Sequence, residues 1–238
     1  MKIQIAHLYP ELLSLYGDRG NIASLSYRLK KRGIECEITE YGISDNIDFE
    51  NTDIIYLGGG TDKDRYTVLT ELLKYKDEIK KYVEDGKSLL AVCSGFELLG
   101  KYYKTQKESY EALGILDIAC EYDKKRHIGN VVLWSDILNT EIVGFENHNA
   151  KIDIGNLEPL GKVITGFGND GVSGVEGAIY KNVVATFLHG PILPKNPVLC
   201  DYIIANALER KYGNAELSPI DDTLELKAHD YIVKRFSK

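Results

Sequence analysis

Two residues of this sequence have the type and setting that nucleophilic chemistry needs, Cys93 and His189. Cys93 follows the apolar run Ser88 to Val92 and opens the stretch Ser94, Gly95, Phe96, Glu97, Leu98. A cysteine on such a strand-to-helix turn is held out at the carboxyl edge of a sheet, where a helix N-terminus favours the attacking thiolate. Gly95 gives the close backbone approach that a nucleophile elbow requires, whereas an ordinary core cysteine has no use for it. His189 ends the apolar run Val183 to Leu188 and precedes Gly190 and Pro191. It too emerges at a strand's carboxyl edge, where it can serve Cys93 as acid and base.

The other candidates read as structural. Cys36 and Cys120 lie in strand-like apolar patterns and Cys200 in a helical one, as buried thiols do. His7, His127 and His229 fit the satisfied structural histidine. His148, in the run Gly144, Phe145, Glu146, Asn147, His148, stays open.

The elements that must position the pair alternate in the first half, which calls for a parallel sheet with helices on both faces. Strands are expected at Ile3 to Leu8, Glu35 to Tyr41, Asp53 to Leu57 and Ser88 to Val92. Helices are expected at about Ile22 to Arg32, closed by Gly33, and over roughly Tyr66 to Glu84. A glycine triplet, Gly58 to Gly60, follows the third strand. Beyond Gly114 the pattern turns to short β-rich runs at Ile128 to Leu133, Glu141 to Phe145, Val163 to Thr165, Gly177 to Tyr180 and Val183 to Leu188, an antiparallel extension of the sheet. Helices at about Pro197 to Arg210 and Leu224 to Phe236 follow. With no repeat or linker in view, residues 1–238 read as a single domain.

Composition narrows the function classes. The chain has 238 residues, 44% hydrophobic and 27% charged, the profile of an ordinary globular protein. No run approaches the roughly 18 apolar residues of a membrane span, and the start shows no signal peptide. A net charge of -7 argues against a nucleic-acid partner. Four cysteines without a CxxC pair indicate neither a zinc site nor a disulfide scaffold, so a reducing cytoplasm is expected, with no metal or cofactor.

The Gly58 to Gly60 loop, the Ala91-Val92-Cys93-Ser94-Gly95 elbow and the His189-Gly190-Pro191 segment resemble class I glutamine amidotransferase domains in order and spacing, particularly the cobyric acid synthase-like branch. Within that branch, the Gly144 to His148 segment and the Leu188 to Pro197 stretch are similar to the glutaminase subunits of lipid II isoglutaminyl synthases. The resemblance implies a flavodoxin-like fold and a thioester mechanism on L-glutamine. Cys93 would attack the side-chain amide, and His189 would protonate the departing ammonia. The oxyanion would meet backbone N–H groups of Ser94 and of Gly59 and Gly60. Arg126 matches the region where these glutaminases hold their substrate, although the Lys124-Lys125-Arg126 run also suits a solvated loop. No phosphate loop of the form GxxxxGK[ST] is present. The resemblance therefore implies a heterodimer with an ATP-dependent, Mur ligase-like synthetase that amidates the D-glutamate of the lipid II stem peptide.

The sequence departs from the wider family where Pro191 stands two residues after the histidine in place of the usual Glu. Glu176, Glu146 and Asp170 are candidate replacements, and a dyad without an orienting acid is open too. Glu97 stands where the family commonly has Gln, and Ala91 where it has Gly. Alternatives are a cobyrinate-like acceptor, a hydrolase of the protease-like branch with Glu11 beside the thiol, or a non-catalytic metabolite-binding or scaffold module.

Overall fold

The computed structural model describes residues 1–237. Strand β1 (Lys2–Leu8) lies between β2 (Glu35–Tyr41) and β3 (Ile54–Leu57), all parallel. The sheet continues through β4 (Ser88–Val92) and β12 (Val183–Thr186), again parallel, and ends on antiparallel β11 (Ala178–Tyr180). Every residue of β3, β4 and β12 is buried, as expected of parallel strands covered on both faces. Alternation divides β4 between two cores: Leu89 and Ala91 pack with α2 (Asp62–Leu72) and α3 (Lys76–Glu84), Leu90 and Val92 with α1 (Arg19–Lys31) and α6 (Pro197–Tyr212).

The expected helix over Tyr66 to Glu84 is two helices. Thr61 starts the first early, its Oγ1 accepting from the Asp64 N–H. A 3-10 turn at Leu73–Tyr75 breaks it, because Tyr75 leaves helical geometry with its ring near Phe49 and its hydroxyl donating to the Asp45 carbonyl at 2.9 Å.

The β-rich second half forms a sheet of its own beside β11 rather than only extending the first. Its spine is a long hairpin, β7 (Ala119–Ser135) and β8 (Thr140–Asp153), of which the expected strands are the parts nearest the turn. Along the other edge of β7, short β5 (Tyr102–Lys104), with β6 (Ser109–Glu111) beyond it, pairs at the start of the strand, and β9 (Gly161–Thr165), with β10 (Val175–Glu176) beyond it, pairs near its end. Both cores draw on both sheets: Cys120, Ala150 and Ile152 join one, Val131, Leu133 and Ile142 the other.

After α4 (Ser94–Leu98) carries the elbow, α5 (Ile192–Lys195) and α7 (Thr223–Phe236) complete the helices. Buried Arg28 of α1 joins α6 to the segment before α7 by ion pairs to Asp201 at 2.6 Å and to Asp222. Among the described residues no helix is long and apolar enough to cross a membrane.

Candidate active site

Cys93 links β4 to α4 in a conformation that β-carbons disfavour, φ 53° and ψ −108°. Neighbouring strands hold it there. Its N–H donates to the Thr186 carbonyl at 2.8 Å, and the Gly95 N–H donates to the Gly58 carbonyl at 3.1 Å. A β-carbon on Gly95 would lie 2.4 Å from the Leu57 carbonyl oxygen, so the elbow admits glycine alone.

His189 arrives from the adjacent strand, since Thr186 of β12 is in register with Val92 of β4. A two-way backbone bridge to Phe145, with N–O distances of 2.8 and 3.2 Å, fixes it against β8. The imidazole is 1% exposed. A β-carbon on Gly59 would lie 3.0 Å from His189 Cε1 and 3.1 Å from Cys93 Cβ, so glycine loop, thiol and imidazole enclose one small volume.

The third member of the site is Asp18, which sequence reasoning missed. Its Oδ1 is 3.4 Å from His189 Nδ1, and its Oδ2 accepts the Gly59 N–H at 3.0 Å. With Nδ1 turned to Asp18, Nε2 is left for chemistry and has no hydrogen-bond partner among the described residues. Burial works against a charged His189, but the adjoining Cys93 sulfur and Asp18 outweigh it and push the imidazole up to about 10. That favours the imidazolium beside the sulfur.

The three acids considered from sequence are committed elsewhere. Glu176 accepts from the Phe187 N–H at 2.6 Å and the Thr186 hydroxyl at 2.9 Å. Glu146 accepts from the Phe167 and Gly168 N–H groups at 2.7 and 3.0 Å, and Asp170 from those of Val172 and Ser173. Glu11 is exposed and pairs with Arg19 at 2.7 Å.

The glycine loop differs from the expected oxyanion hole. The Gly59 N–H is taken by Asp18, and the Gly60 N–H by Ser94 Oγ at 3.2 Å. Ser94 is the first residue of α4, so its N–H has no acceptor within the helix and is the one of the three available in this conformation. Arg126 belongs to β7, not to a loop. It lies at the register shift between Tyr122 and His127, and its Nε–H donates to Asn147 Oδ1 at 2.6 Å. Glu97 is turned away into a buried cluster: it pairs with Arg65 at 2.8 Å and accepts from the Tyr122 hydroxyl at 2.5 Å.

The remaining candidates are structural. His148 Nδ1 lies 2.8 Å from the Ala150 carbonyl while its ring stacks on Phe187, His127 stacks on Phe167, and His229 Nδ1 meets the Lys195 carbonyl. Burial pushes His7 down to about 4 and Cys200 up to about 12, and raises Cys36 and Cys120.

The model of the CobB/CobQ-like glutamine amidotransferase domain matches residues 4–197. The lipid II isoglutaminyl synthase (glutamine-hydrolyzing) subunit GatD of Staphylococcus aureus (strain N315) is 40% identical over 100% of this chain and 97% of its own length. Its counterpart in Streptococcus pneumoniae (strain ATCC BAA-255 / R6) is 34% identical over 94% and 87%. A cobyric acid synthase of Clostridium botulinum (strain Alaska E43 / Type E3) is 29% identical over 79% of this chain but only 38% of that protein. A crystal structure of a glutamine amidotransferase shares the fold with a TM-score of 0.58 at 20% identity, covering 85% of this chain and 98% of that one.

Proposed function

We propose, since this chain belongs to the CobB/CobQ-like glutamine amidotransferase family, that it is the glutamine-hydrolysing subunit of a lipid II isoglutaminyl synthase. One observation carries this reading: Cys93, His189 and Asp18 converge near the carboxyl ends of β4 and β12 in a chain similar over nearly its whole length to two such subunits.

In this reading Cys93 Sγ attacks the side-chain amide carbon of L-glutamine. The Ser94 N–H meets the oxyanion, joined by a Gly59 or Gly60 N–H if substrate draws the loop from its present acceptors. The C–N bond breaks as His189 Nε2–H protonates the leaving nitrogen, releasing ammonia and leaving a thioester. His189, then neutral, takes a proton from water, whose oxygen attacks the thioester carbon, and glutamate departs from a restored thiolate and imidazolium. Asp18 holds the ring in the tautomer that keeps Nε2 toward the sulfur. Arg126, exposed at the rim, holds the α-carboxylate of the substrate. The whole described chain acts as one amidotransferase domain, in the cytoplasm. Ammonia passes to an ATP-dependent, Mur ligase-like partner that activates the D-glutamate carboxylate of lipid II.

Ammonia and glutamate release from L-glutamine, measured with Cys93→Ala and His189→Ala alongside and with the synthetase partner added, tests the proposal. Release that disappears in both variants is expected. Release that persists in Cys93→Ala would overturn the assignment of the nucleophile.

A further inference from the structure

Between Arg126 and His189 runs a short chain of side chains that the reaction as described does not use. Asn147 of β8 accepts the Arg126 Nε–H on Oδ1 and donates from Nδ2 to the Tyr16 hydroxyl, both at 2.6 Å. The Tyr16 ring meets the His189 imidazole edge-on, with centroids 4.8 Å apart and planes at 64°. Tyr16 holds this place at φ 57° and ψ 26°, a left-handed conformation unusual for a residue with a β-carbon. The strained turn is tied to the catalytic loop, since the Leu15 N–H donates to the Gly59 carbonyl at 3.0 Å. Two residues on, the same turn delivers Asp18 to the other side of the imidazole. Of the five N–H groups of the Arg126 guanidinium, the one on Nε is bound to Asn147, and the others have no partner among the described residues.

We propose that Tyr16 and Asn147 are positioning residues that form a strap across the site, aiming Arg126 at the carboxylate of glutamine while shielding His189 from water. The inference rests on the glutaminase reading and deepens it. Asn147 restrains a guanidinium that would otherwise swing freely in solvent, and leaves its outer face, the two Nη groups, presented for bidentate capture of a carboxylate. Tyr16 anchors Asn147 in turn, and strain in the turn is the cost of bringing its hydroxyl that far across the histidine. Because each side chain fixes the next, loss of either hydroxyl or amide frees the same guanidinium. The two substitutions should therefore not add.

Labelling of Cys93 in the purified chain by a diazoketone analogue of L-glutamine, which carries the same carboxylate, tests this without turnover or a partner. Tyr16→Phe and Asn147→Leu should each raise the half-saturating analogue concentration by roughly tenfold, as expected for one aimed, charge-assisted contact. The limiting labelling rate should stay within about threefold, and the double variant should be no weaker than about the worse single. Alkylation by iodoacetamide, which lacks the carboxylate, should be unaffected in all three. Unchanged half-saturation in both single variants, multiplied effects in the double, or a matching loss with iodoacetamide would overturn the strap while leaving the glutaminase reading standing. A wild-type chain that iodoacetamide labels at Cys93 but the analogue does not would overturn the glutaminase reading, and the strap with it.

Discussion

At Asp18 two hydrogen-bonding duties meet in one buried carboxylate: one oxygen faces His189 Nδ1 and the other accepts the Gly59 N–H. An amide in its place offers one acceptor and one donor, so Asp18→Asn can serve the ring or the loop but not both. Glutamine turnover should fall by about 10²-fold or more, the scale of a mispositioned general acid and base, with little change in melting temperature. Asp170→Asn, which alters only a surface turn, should leave turnover within about twofold. Equal losses in the two variants would remove Asp18 from the site. Cys93 and His189 were legible because an apolar strand delivers each of them, and such strands can be read from the sequence. Asp18 was not, since it lies 171 positions from His189 in a turn with no periodicity, and only tertiary structure selects it among 36 acidic residues. The nearest written clue is Pro191, which excludes the usual acid without naming its replacement.

Helix α4 is five residues long and depends on its neighbours for stability. Glu97 ties it to α2 through Arg65, which also lies over the rings of Tyr103 and Tyr122. Both charged side chains are almost fully buried, so each is the other's main compensation for lost water. Glu97→Gln, which installs the residue common in the wider family, should therefore destabilise the chain by about 3 kcal/mol, since it leaves Arg65 with only the solvent-exposed Asp62, at 3.3 Å, as a charged partner. That corresponds to a fall of roughly 6 to 12 °C in melting temperature for a chain of this size. Glu97→Gln combined with Arg65→Met should recover much of the loss, and failure to recover would place the cost in packing rather than charge. The same tertiary ties explain which elements the sequence concealed. The β7–β8 hairpin carries Asp123, Lys124, Lys125 and Arg126, which read as loop, at the register shift where β7 bulges away from its partner between two paired stretches. The parallel strands, alternating in β2 and apolar for most of their length in β3, β4 and β12, were legible almost to the residue.

Two sheets share this molecule, and a buried carboxyl sits where they join. Glu176 belongs to β10 of the second sheet but accepts its hydrogen bonds from Thr186 and Phe187, at the end of β12 in the first. Burial pushes it up to about 8, with Glu146 adding to the rise, while the Phe187 N–H, Thr186 and His189 pull the other way. A group that holds its proton more tightly when folded stabilises the fold fully below its unfolded value, near 4.5, and loses that contribution as pH rises through its folded value. Stability should thus decline between about pH 5 and 8 on account of Glu176. His189 adds a decline of the same sign, but in the higher window from about 6.5 to about 10. Glu176→Gln is neutral at every pH and can still accept from Phe187 while donating to Thr186, so it should flatten the lower window and leave the upper one. Urea unfolding of both proteins at intervals from pH 5 to 10 separates the two contributions. Parallel curves across the lower window would show that Glu176 has the same proton affinity folded and unfolded, and would exclude it as the pH-sensitive joint between the sheets.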